Sequence, residues 1–170
     1  MKRALVIVDA WKYHDTRNQE KEANALCSFL NYVIQHERQK ETTIIYSFGS
    51  VPLDTAKDPH NNKINSDSLN VNIVSQNDDI FTSKPELNDV IVKNNIEEVY
   101  FGGFHFGHCI HMHSEYLHRG NTPMNCKNIV LNLSMVLSED SWDEQIKKHS
   151  DWNYHLWGPT KFERIMGEIK

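Results

Sequence analysis

The chain opens with an unbroken apolar run, Ala4-Leu5-Val6-Ile7-Val8, that stops at a carboxylate, Asp9. A short continuous run of this kind suits a strand buried on both faces of a parallel sheet. The pattern then changes. Over residues 19–36, Ala23, Leu26, Cys27, Leu30, Val33 and Ile34 recur at intervals that place them on one side of a helix. Residues 42–48, Thr-Thr-Ile-Ile-Tyr-Ser-Phe, are β-branched and aromatic and predict a second strand. Residues 49–69 are polar and rich in Asn, Asp, Ser and Pro, which predicts a long loop or excursion.

Further along, residues 71–74 predict a short strand, and Ser83-Lys84-Pro85-Glu86 has the form of a helix start, with the proline in the first turn. That helix would run over residues 87–94. Residues 97–101 predict the next strand, 110–118 a helix stopped by Gly120-Asn121, 128–133 a further strand and 142–148 a further helix. The tail, 152–170, is rich in tryptophan. Strands alternating with helices imply right-handed crossovers and an α/β fold: three layers, α/β/α, around a mostly parallel sheet, in one domain over residues 1–170. In such a sheet the carboxyl ends of the strands share one rim. Asp9, the segment before Lys84, and Cys109 are expected to converge there.

Composition narrows the partners. With 170 residues, 39% hydrophobic and 24% charged, the chain has the balance of a globular domain with a real core. A net charge of −5 gives no basic footprint for nucleic acid. No apolar stretch is long enough to span a bilayer, and the run behind Met1-Lys2-Arg3 is too short for a signal segment. The three cysteines, Cys27, Cys109 and Cys126, are odd in number and widely spaced, which points to a reducing, cytoplasmic setting rather than a disulfide framework. The expected partner is a small-molecule substrate, with neither nucleic acid nor membrane involved. The tail aromatics Trp152, Trp157 and Phe162 suit packing or a contact between copies in a homo-oligomer.

The chemistry concentrates in Val99-Tyr100-Phe101-Gly102-Gly103-Phe104-His105-Phe106-Gly107-His108-Cys109-Ile110. A short β-prone segment runs into glycines and then into a cysteine that opens a helix. There the positive end of the helix dipole favours a thiolate. The ordinary fate of a free cysteine is structural burial, and a lysine beside a proline is ordinarily a solvated helix-start residue. His105, His108, His111 and His113 resemble a metal cluster, but His111 and His113 lie two apart and would face different ways on one helix. Asp58-Pro59-His60 lacks a second histidine at a matching place. No metal and no cofactor are expected.

Taken together, these segments resemble the isochorismatase-like cysteine hydrolases, which include nicotinamidases and N-carbamoyl amide hydrolases. The resemblance runs from Leu5 to about Asp140. It is carried by Leu-Val-Ile-Val-Asp9, by Asp79-Ile80-Phe81-Thr82-Ser83-Lys84 and by Gly103-Phe104-His105-Phe106-Gly107-His108-Cys109-Ile110. It implies a catalytic trio of Asp9, Lys84 and Cys109, with backbone N–H groups of Cys109 and His105 holding an oxyanion. Trp11, Phe104, Phe106 and His108 would line the substrate pocket. The sequence departs from the family pattern where His105 and Phe106 replace a small residue and a threonine, and where the interval from Lys84 to Cys109 is shortened. Two readings remain. One is a hydrolase that cleaves the C–N bond of a small amide-like molecule through a Cys109 thioester. The other is a non-catalytic binding or assembly protein whose pocket His105 and Phe106 close.

Overall fold

A computed structural model of the chain describes residues 1–12, 20–49, 64–106, 109–110, 128–138 and 155–157. Among these, six strands form one sheet: β1 (Arg3–Val8), β2 (Thr43–Phe48), β3 (Ile80–Ser83), β4 (Glu98–Phe106), β5 (Asn128–Ser138) and β6 (His155–Trp157). Their order across the sheet is β3-β2-β1-β4-β5-β6, and every neighbouring pair is parallel. The chain builds outward from β1 through β2 to β3, then returns past β1 to lay down β4, β5 and β6. The direction therefore reverses between β1 and β4. In open α/β sheets the crevice outside the carboxyl ends at such a reversal is where ligands bind.

Two helices, α1 (Glu20–Arg38) and α2 (Leu87–Lys93), cover opposite faces. The side chains of β1 alternate between them. Leu5 and Ile7 join Ala23, Cys27, Leu30 and Ile34 of α1, while Ala4, Val6 and Val8 join Leu87 and Ile91 of α2. The central strand β1 is apolar and buried from Ala4 to Val8, as a strand covered on both faces requires. The acidic first turn of α1, Glu20 and Glu22, and its basic last turn, His36 and Arg38, both suit the helix dipole. No helix among the described residues is long and apolar enough to cross a membrane.

Four sequence expectations change. Residues 71–74 form a turn followed by irregular backbone rather than a strand. The Asn70 side chain accepts from the Asn72 N–H at 3.0 Å, and Asn31 Oδ1 accepts from the Val74 N–H at 2.9 Å. Side-chain amides thus satisfy backbone donors that a strand would have given to a neighbour. Second, β4 does not end before the glycines: it runs on to Phe106. Gly103 lies within it at φ 108, paired with Val8, and a Cβ there would stand 2.2 Å from the Val8 carbonyl oxygen. The glycine marks a close approach of two backbones, not a turn. Third, β5 extends to Ser138, following β4 through two register shifts. Fourth, the tail contributes β6, which the tryptophan-rich pattern did not predict. The expected helices at 110–118 and 142–148 lie outside the described residues, apart from Ile110, as does most of the long loop that begins at Gly49.

Candidate active site

Asp9 is the first residue beyond β1. It is 4% exposed and takes a left-handed backbone conformation, φ 51, that aspartate tolerates better than most side chains. Its own N–H donates to the Ser47 carbonyl at 3.0 Å, and its Oδ1 accepts from the Gly49 N–H at 2.7 Å. Both bonds tie it to the end of β2. The carboxyl also accepts a hydrogen bond from the Cys109 thiol and feels the charge of Lys84. Burial pushes its pKa above the ordinary carboxylate value, and this outweighs the bond from Gly49, the bond from Cys109 and the attraction of Lys84. A carboxyl whose pKa is raised holds a proton more readily than a fully solvated one.

Cys109 and Ile110 are helical, and they follow β4 on the α2 side of the sheet. Ile110 is fully buried in the cluster that holds Val8 and Phe101, and the half-buried Cys109 packs against the same cluster. The close backbone approach at Gly103 is what brings the end of β4 against the end of β1. Lys84 follows Ser83 at the carboxyl end of β3 and is half-buried. β2 stands between β3 and β1. At about 4.8 Å per strand spacing, the gap is about 10 Å, which calls for a long cationic side chain. The shortened interval between Lys84 and Cys109 is accommodated by a short α2 and leaves the lysine within electrostatic reach of Asp9.

The other expected site residues fare differently. Trp11 is buried against Phe48, with ring centroids 4.2 Å apart, in the α1-side core. Phe104 is fully buried in the same cluster. Both side chains offer almost no accessible surface. His105 belongs to β4 at the second register shift, between Phe104 and Phe106. Irregularities of this kind re-aim backbone groups and cluster at sites. His108 and the Asp58/His60 segment lie outside the described residues. Among the described residues no group of three His, Cys, Asp or Glu side chains is placed to hold a metal ion.

Sequence reasoning missed Gly49. Its signal was present, a glycine directly after an aromatic strand end, but a polar loop begins at the same point and masked it.

No family model matches the sequence, and no curated protein matches it. The fold does have solved likenesses. An isochorismatase family protein aligns with a TM-score of 0.66 at 18% identity, covering 92% of this chain and 98% of its own. An N-carbamoylsarcosine amidase from Thermoplasma acidophilum aligns at 0.65 and 18% identity, covering 92% and 95%. A pyrazinamidase of Pyrococcus horikoshii, solved in complex with zinc, aligns at 0.67 and 11% identity, covering 92% and 99%. The chain carries the isochorismatase-like α/β fold.

Proposed function

We propose that the protein is a hydrolase that cleaves the C–N bond of a small amide-like molecule through a thioester on Cys109. One observation carries the reading: a buried carboxylate bonded to a thiol, with a lysine charge nearby, where the strand order reverses. The fold is shared with enzymes named as an amidase and a pyrazinamidase, which supports hydrolysis of an amide.

In the proposed cycle the Cys109 proton passes to Asp9, and Lys84 stabilises the negative charge left in the site. The sulfur attacks the amide carbonyl carbon. The oxyanion that forms is held by backbone N–H groups of Cys109 and His105. The C–N bond then breaks, and Asp9 returns the proton to the departing nitrogen. Water attacks the thioester while Asp9 takes a proton from it, the C–S bond breaks, and the thiol is restored. The balance is amide plus water giving carboxylic acid plus ammonia or amine.

A panel of small primary amides and N-carbamoyl compounds, assayed for ammonia release with intact-mass detection of an acyl adduct, tests this. We expect a turnover-dependent adduct on Cys109 and no release by Cys109→Ala. Ammonia release that persists in Cys109→Ala would overturn the reading.

A further inference from the structure

The Asp9 carboxylate has a partner outside the trio. β2 ends at Phe48, and the next residue, Gly49, donates its N–H to Asp9 Oδ1 at 2.7 Å. A bond from an amide to a carboxylate is short and strong because the acceptor is charged. It joins the main-chain bond from Asp9 to Ser47, so the ends of β1 and β2 are tied twice. A Cβ on Gly49 would lie 3.6 Å from Oδ1 and 3.9 Å from Oδ2. Any side chain at this position would begin in contact with both oxygens of the carboxylate. Of the influences that favour the charged carboxylate, the Gly49 bond is the largest, ahead of Cys109 and Lys84, the other groups facing Asp9 among the described residues.

We propose that Gly49 is a positioning residue for Asp9. Its N–H occupies Oδ1 and fixes the carboxylate, leaving Oδ2 to take the thiol proton. The catalytic consequence rests on Asp9 being the base of the proposed reaction, whereas the coupling between Gly49 and the Asp9 charge does not.

The test is an NMR titration of isotopically labelled protein, following the Asp9 carboxyl carbon and the Gly49 amide proton. In the wild type the two signals move with one midpoint, and the Gly49 response disappears in Asp9→Asn. Gly49→Pro removes the donor, and the extended Phe48 before it is compatible with a following proline. In that variant the Asp9 midpoint rises by about one pH unit, and the acid limb of Cys109 alkylation rises with it. Gly49→Ala keeps the N–H and stays near the wild-type midpoint. A Gly49 amide indifferent to Asp9 ionisation overturns the proposal, as does a Gly49→Pro protein with the wild-type midpoint. Should the proline variant not fold, the wild-type titration alone decides. Failure of the hydrolase reading would appear separately, as absent turnover with the midpoints still coupled.

Discussion

The two ends of the sheet use charge in opposite ways. At the amino end, Arg3 lies 3.8 Å from Glu37 and 3.8 Å from Glu98, and its guanidinium sits 5.0 Å from the centre of the Tyr100 ring. Glu37 also accepts from the Thr42 hydroxyl at 2.8 Å and faces Lys40 at 3.7 Å. These groups share their charge in a network open to water on the Arg3 side, where 40% of the side chain is exposed. At the carboxyl end, Asp9 is buried, sits in left-handed backbone and has its pKa raised. The amino end is arranged for cohesion. The carboxyl end holds a carboxylate whose charged form burial disfavours.

The sharpest way to break this contrast is Asp9→Asn. If Asp9 is the base, turnover falls by about 10³-fold or more while the protein stays folded, measured as kcat/KM with whichever amide the panel identifies. Next in size is Gly103→Ala. The added Cβ would meet the Val8 carbonyl at 2.2 Å in a backbone conformation, φ 108, that side chains rarely adopt. We expect a loss of about 3 kcal/mol or more in urea unfolding, together with loss of the Asp9–Cys109 contact.

A smaller effect runs in the other direction. Burial raises the Asp9 pKa from 3.8, so the folded protein holds this proton to higher pH than the unfolded chain. The wild type therefore loses stability as pH rises from the ordinary value through the raised one. Asparagine cannot ionise and escapes that loss. Asp9→Asn should melt about 2–4 °C above the wild type at neutral pH, with the advantage fading in acid. A lower Tm at neutral pH would mean that the charge is stabilising after all. Smallest is Arg3→Ala at the opposite end, within about 1 kcal/mol and weaker still in high salt, with Cys109 reactivity unchanged.

Much of this was legible in the chain because buried parallel strands and helices leave distinct patterns. The run ending at Asp9 and the periodic Ala23, Cys27, Leu30 and Ile34 both announce their elements. Cys109 stood out through the residues around it. The rest depended on contacts that pattern does not encode. Gly102-Gly103 reads as a chain break, yet Gly103 is demanded by Val8, a residue far away in sequence. Val71 and Val74 suggested a strand, but Asn24, Asn31 and Asn70 supply the hydrogen bonds that fold this segment onto α1. The burial of Trp11 and Phe104 was not legible either: strand alternation turns Phe104 into the α1-side core, and Phe48 draws Trp11 there. Gly49 acts through its N–H, which no side-chain pattern reveals.

The central claim is that the carboxyl rim activates one thiol, and the cysteines of this chain provide the test. Cys27 is fully buried on α1, and burial pushes its thiol up to about 12. Site-resolved iodoacetamide labelling of the folded protein, followed across pH, compares it with Cys109 and Cys126 in one sample. The account predicts that Cys109 labels fastest near neutral pH, that Cys27 stays silent until unfolding, and that Lys84→Met slows Cys109 by about ten-fold. A Cys109 that labels no faster than Cys126, or that is unmoved by Lys84→Met and Asp9→Asn alike, would contradict it.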